Sequence, residues 1–530
     1  MYLSDSKIQK MHFLKKTAII VASITVLLLL INFGISYWVT QKLPKILQSE
    51  KDFPYNINYD DIDVRLISGS FTIHNAYLAP KDSLSTKNKG TFGKIKQIEV
   101  EQFNLWALLW QNHIKVKSIT IDSPEVILYH KQKKHATQDS FIKPLKNTIT
   151  TQRITIKKGK LRILDSLQNV TVTASNINFK ITNTTIDSAS VTKEIPVRYK
   201  NYSFSCDSLL YKVNKFYTIT LAHIENNEGV FSASDFKLIP QQNRTQFNNS
   251  IPVERDQFTI TAAKIDIPEN DWGYNSDTLF VHIPRLNIEE VDANIYRGKM
   301  VKDDLKTKKL YSQMLRELDF DLKVDTLTLK KSTIVYEEQL SYDKPSGKVS
   351  FSNFDASIYN LYSPVGKKEI PDTTIDVQAL FMKQAPLQVH WFFNITDASD
   401  AFTIQGKLQK LDATKLNAVT KGLMNAKTSG NINKVDFTFN GNREKSTGTF
   451  AIHYDNLKVE ILKKDSNDKN ELLSIFGNLI IKNNSNNTMK NTDVAVERVK
   501  NKSVFNFLWL FIQQGLKNTA LPSLFTTNND

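Results

Sequence analysis

From about Ile149 onward one pattern dominates the chain: apolar and polar residues alternate at every second position, over runs of five to eight residues. Side chains on an extended strand point to opposite faces, so this period sets one phase toward a core and the other toward water. It is carried by Ile154 and Ile156, by Val172, and by Ile219 and Ile260 within Thr-rich runs. It continues through Val324, Leu327 and Leu329, then Val389 and Ile404, and closes with Phe437, Phe439 and Ile452. Thr, Ile, Val, Phe and Tyr fill these runs, and they suit a pleated surface. The pattern predicts a mainly β fold of half-buried antiparallel strands, with the thirteen named residues lining its apolar face.

The N-terminus obeys a different rule. Residues 18–37 read AIIVASITVLLLLINFGISY, without a charge. As a helix this stretch spans about 30 Å, the thickness of a bilayer's hydrocarbon core. Ile19, Ile20, Val21, Val26, Leu27, Leu28, Leu29, Leu30, Ile31, Phe33 and Ile35 supply the anchor's apolar surface, and Trp38 stands at its exit, where indoles favour the headgroup layer. Lys7, Lys10, Lys15 and Lys16 precede it against one acid, Asp5. The positive-inside rule then predicts a cytoplasmic N-terminus and export of the rest. A cleaved signal has a shorter apolar core and a small-residue cleavage site. The sequence Gly34-Ile-Ser-Tyr-Trp38 offers no such site, which favours a retained single-pass anchor.

The expected organisation is a cytoplasmic segment 1–17, a transmembrane helix 18–38, a β/α module 39–130, an extended sheet 131–482, and a polar break with an amphipathic helix in 483–530. Glycine (17) and proline (15) are scarce and no low-complexity linker divides the exported part, so one long architecture is as open as several domains. Cys206 is the single cysteine, which rules out an internal disulfide. Of the net charge of +15, the first 40 residues supply +3 (four Lys minus one Asp), leaving +12 (15 minus 3) spread thinly. Without a dense basic block no nucleic-acid partner is expected. A diffuse basic surface suits anionic headgroups or simply water.

Residues 56–78 read as two strands around Gly69. Residues 94–129 read as a strand, a short helix capped by Asn104 on which Trp106 and Trp110 share a face, a strand, and a further strand opened by Pro124. Helices are expected over 306–318, with Leu310, Met314 and Leu318 on one face, and over 412–424 behind an Asp412 cap. The tail, VFNFLWLFIQQGL at 504–516, puts Phe505, Leu508, Trp509 and Ile512 on one helical face. It is too short to span a bilayer. It fits either an aromatic helix in a membrane interface or a plug over the end of a sheet.

Residues that usually carry chemistry are missing as motifs. The nine histidines form no HExxH and have no cysteine partners, and there is no G-x-S-x-G, P-loop or G-x-G-x-x-G. Asp60, Asp61 and Asp63 lack the glycine and glutamate of a calcium loop. No catalytic residue, metal ligand or cofactor site is predicted, and the chain reads as non-enzymatic.

Taken together, the chain resembles the AsmA-like family of bacterial envelope proteins. The resemblance rests on the single N-terminal span, the SGSFTIHNAYL strand, and above all IKQIEVEQFNLWALLWQNHIKVKSITIDSPEVILY. LKVDTLTLKKSTIVYEEQ, FTIQGKLQKLDATKLNAVTKGLM, SGNINKVDFTFNGNREKSTGTFAIHYDNLKVEIL and SVFNFLWLFIQQGL add to it, while 183–302 is less distinctive. The resemblance implies a long curled sheet related to chorein-type lipid-transfer proteins, with an apolar groove for phospholipid acyl chains. It further implies inner-membrane anchoring, a periplasmic bulk and a role in lipid transport or outer-membrane biogenesis, with envelope proteins as possible partners. The same alternation equally fits a closed β core in a structural or assembly factor. An anchored hydrolase is the weakest reading.

Overall fold

Strands make up 63% of the described residues and helices 12%, so the period-two pattern sets the fold class. This computed structural model describes residues 55–65, 68–80, 90–111, 113–129, 148–191, 193–462 and 484–520. The expected cytoplasmic segment and anchor, residues 1–38, lie outside the described residues. Among those described, no helix is long and apolar enough to cross a membrane. The chain divides into two compact units, Met1–Leu209 and Leu210–Asp530.

In the first unit β1 (Tyr55–Asn58) and β2 (Asp61–Arg65) both pair with β3 (Ser70–Pro80), turning about Gly69 as the sequence predicts. β4 (Gly90–Glu101) follows, then helix α1 (Leu105–Gln111), β5 (His113–Tyr129), β6 (Thr148–Leu164) and β7 (Val170–Ile186). A single helical turn, α2 (Ser188–Val191), leads to β8 (Asn201–Lys212), which reaches the unit boundary. β3, β4 and β5 pair antiparallel, as do β6 and β7. β5 and β6 run parallel, against the all-antiparallel expectation. Residues 130–147 join them, long enough for the crossover that parallel neighbours need.

Pro124 does not open a new strand. β5 runs straight through it, bent at Ser123, whose φ of 50° is left-handed. Asn75, Lys158 and Asn176 have φ of 49°, 53° and 50° at the matching level of β3, β6 and β7. Each strand changes its apolar phase there: Ile73 gives way to Ala76 and Leu78, Ile121 to Val126, Ile156 to Leu161. A residue of helical handedness interrupts the alternation by one position and bends the strand. Pro124, without an N–H, is placed next to that irregularity.

The second unit begins with β9 (Tyr217–Asn227), β10 (Val230–Pro240) and β11 (Asp256–Ile267), which pair in turn. Helix α3 (Arg244–Ser250) intervenes, started by a capping box between Asn243 and Gln246. β12 (Asp271–Asn275) and β13 (Thr278–Glu289) form a hairpin, and β14 (Asp292–Gly298) continues β13 after a break at Glu290. β15 (Asp321–Gln339) runs parallel to both, and helix α4 (Tyr311–Arg316) sits in the crossover. This helix is shorter than expected: Leu310 is its buried N-cap and Met314 is exposed.

From β15 an antiparallel meander runs through β16 (Gly347–Tyr362), β17 (Thr373–Phe381), β18 (Ala385–Phe393) and β19 (Phe402–Asp412). It ends with β20 (Ala426–Gly441), β21 (Lys445–Ile461) and β22 (Lys490–Glu497). Helix α5 (Asn417–Met424) follows a 3₁₀ turn in which Asp412 caps the Thr414 N–H, as predicted. Helix α6 (Val504–Ala520) lies against β21 and β22. Its Phe507 and Phe511 each meet Phe439 edge-on with centroids 5.0 Å apart, and all three are buried.

Polar ties hold the covering segments. Asp400, fully buried, accepts from Arg316 at 2.6 Å and from Ser312 at 2.8 Å, fixing α4 to the loop before β19. Lys502 bonds Glu254 at 3.3 Å and Asp303 at 3.1 Å just before α6. Buried Glu337 accepts from both Arg244 nitrogens at 3.1 and 3.0 Å and from Asn294 at 2.7 Å. Burial alone would raise its pKa, but Arg244, Asn294 and Ser346 outweigh it and lower the carboxyl to about 2.

A depressed folded pKa gives stability that is present above the ordinary carboxyl range and is lost as pH falls toward about 2. Urea midpoints measured against pH should therefore drop between about pH 4.5 and 2 in the wild type. Glu337→Gln should flatten that branch and lower neutral-pH stability by about 2–3 kcal/mol. Gly515→Ala gives a second check. Alanine favours a helix by about 1 kcal/mol, but its Cβ would stand 2.3 Å from Phe450 Cγ. Overpacking should win, lowering stability by about 1–3 kcal/mol in thermal unfolding.

Candidate functional site

The strand registers of the first unit stack its apolar residues into two adjacent rows. One runs Ile62–Ile73–Ile98–Ile121–Ile156–Phe179 across β2 to β7. The other runs Val64–Phe71–Val100–Ile119–Ile154–Ile181 across the same strands. Members of a strand are two residues apart, so both rows share a face. The intervening phase is polar: Asp63, Thr72, Glu99, Thr120, Thr155 and Lys180 form a row on the opposite face.

Only Ile62, Val100 and Ile181 of the two apolar rows are buried; the other members keep contact with water. The unit's described helices are α1, which packs on β5, and the α2 turn. A contiguous apolar face of this extent is unusual on a soluble surface.

The second unit treats similar rows differently. Leu327, Ile358 and Ile375 start a row that continues through Trp391, Ile404 and Phe439. Its first three members are half-buried, whereas Trp391 is 9% exposed, Ile404 3% and Phe439 0%. The change coincides with cover: Leu310 and Val504, Phe507, Phe511 and Ala520 of α6 join the same core cluster. Gly406 leaves the space that the Phe437 ring fills, since a Cβ there would lie 2.2 Å from it.

The thirteen predicted lining residues therefore divide. Ile154, Ile156 and Val172 are half-buried in the first unit, and Ile219, Ile260, Leu327 and Leu329 are half-buried in the second. Val324, Ile404, Phe439 and Ile452 are buried, and Val389 and Phe437 pack against the closed core. Of the tail residues, Leu508 and Ile512 pack against that core while Phe505 is 60% exposed and Trp509 36%. Phe507 and Phe511 are the tail residues that enter the core.

Polar residues of the open unit are tied down locally. Asp60 accepts from Asn75 at 2.9 Å and Asp63 lies 3.1 Å from His74. Among the described residues no group of three or more His, Cys, Asp or Glu is arranged to hold a metal ion. Cys206 is buried, with Sγ 3.3 Å from the Ser175 carbonyl. Comparison with protein-family models finds no match, and comparison with curated proteins finds none either.

The two environments predict opposite costs for one substitution. Ile404→Asp buries an unpaired carboxylate and should cost more than about 3 kcal/mol. Ile156→Asp on the open face should cost about 1 kcal/mol. Urea unfolding of the two variants, followed by near-ultraviolet circular dichroism, checks the contrast.

Proposed function

We propose that this chain is an AsmA-like envelope protein, held in the bacterial inner membrane by residues 18–38, that carries phospholipid acyl chains on the open face of its first unit. The observation that supports this most is the pair of apolar rows, Ile62 to Phe179 and Val64 to Ile181, with polar residues opposite them. Acyl chains lying across such rows would remove from water the surface that the fold leaves wet. No bond is made or broken in this role, and none of the familiar catalytic motifs occurs in the sequence. The left-handed residues aligned across β3, β5, β6 and β7 favour a bent sheet, as a groove requires.

The alternative, a structural or assembly factor acting through protein contacts, is favoured by the second unit's closed core of Trp391, Phe402, Phe439, Phe450, Phe507 and Phe511. The two readings separate by cargo. Native mass spectrometry of the full chain, transferred from detergent to amphipol, should find bound phospholipid in the wild type. Ile121→Asp/Ile156→Asp should carry less than half as much. A wild type free of phospholipid would favour the assembly factor.

A further inference from the structure

Helix α1 carries a feature that acyl-chain binding leaves unexplained. Trp106 and Trp110 stack with centroids 4.4 Å apart, and they are 71% and 67% exposed. The helix beneath them is firmly seated. Asn104 accepts from the Ala107 N–H at 2.9 Å and donates its own N–H to the Lys115 carbonyl at 2.9 Å. The preceding Phe103 donates to the Gly69 carbonyl at 2.7 Å and meets the Phe71 ring edge-on at 6.0 Å. Ala107 is buried, while the two indoles of the same helix stand in water.

Cations frame this end of the strands. Arg65, Lys115, Lys117 and Arg153 are exposed, within a few register positions of one another. The carboxylates there are Asp63, exposed and 3.1 Å from His74, and the half-buried Glu99 and Glu101, of which Glu101 accepts from Ser118. Paired exposed indoles at an end of the strands that also carries exposed cations match the chemistry of an anionic headgroup layer, where indoles settle and lysines meet phosphate. Reach is sufficient. Residues 39–54, between the expected anchor and β1, span at most about 55 Å. β3 runs about 35 Å from Pro80, beside Tyr55, to Ser70 at the α1 end.

We propose that Trp106 and Trp110 dock this end of the first unit onto the anionic surface of the bilayer, a proposal that rests on the reading of residues 18–38 as an anchor. The helix then acts as a second, reversible foot that sets the open face beside the membrane supplying its lipid.

The full chain is reconstituted into vesicles of phosphatidylglycerol and phosphatidylcholine brominated on its acyl chains, and bromine quenching of tryptophan is measured. Wild type, Trp106→Tyr/Trp110→Tyr and Trp38→Tyr are compared. Docking predicts that the double variant loses at least half of the quenchable signal, and that replacing phosphatidylglycerol by a neutral lipid lowers quenching of the pair at least twofold. Quenching unchanged in the double variant overturns the proposal, whether the indoles stand in water or against a second copy of the chain. Trp38→Tyr reports the anchor separately. Loss of quenching there with an unquenched pair leaves the anchor reading intact while docking fails. No quenching from Trp38 points instead to failure of the anchor reading.

Discussion

The first unit depends on how its strands absorb a change of hydrophobic phase. An alternating strand can feed one apolar face only while its period holds, and a slip of one residue sends every later side chain to the wrong side. β3, β5, β6 and β7 each slip once, and each has a left-handed residue at the slip: Asn75, Ser123, Lys158 and Asn176. Because these residues align, the registers on either side of them persist from β3 to β6. The Lys158 N–H finds the Asn178 side chain at 3.2 Å, so even the irregular backbone is satisfied there. Asparagine tolerates this conformation better than most residues. The second unit repeats the device at Lys331, whose N–H bonds Asp355 at 2.8 Å beside a register shift between β15 and β16.

Cover, more than composition, separates the two apolar surfaces. Isoleucine and phenylalanine line both, yet Ile156 stays half-buried and Ile452 is fully buried. The difference is α6, which inserts Phe507 and Phe511 over β20 and β21 and brings Gly515 against Phe450. Burying aromatic rings of this size stabilises by several kcal/mol each. The uncovered rows of the first unit still have their apolar surface to bury.

Much of this was legible in the residues. Period two predicted the strands, Asn104 and Asp412 predicted their helix caps, and i, i+4 spacing predicted that Trp106 and Trp110 would share a face. Parallel pairing was not legible, because alternation is blind to strand direction and only the lengths of 130–147 and 299–320 hint at crossovers. Pro124 misled for a physical reason: proline interrupts a ladder, but here the interruption coincides with a kink the strand already has at Ser123. Helix α3 was missed although Asn243 and Gln246 hold capping-box spacing in the sequence. Open face and closed core were inseparable, since Ile154 and Ile404 occupy the same kind of alternating run and differ only in what a distant helix covers.

Photo-crosslinking tests this division most directly. The full chain in its membrane would be given phospholipid bearing a diazirine on the acyl chain, illuminated, and digested for peptide mapping. An open first unit and a closed second core predict adducts on peptides containing Ile98, Ile119–Ile121 and Ile154–Ile156, and none on those containing Phe439, Phe450 or Phe511. Adducts concentrated on the Phe439, Phe450 and Phe511 peptides, or none on the strands of the first unit, would contradict it.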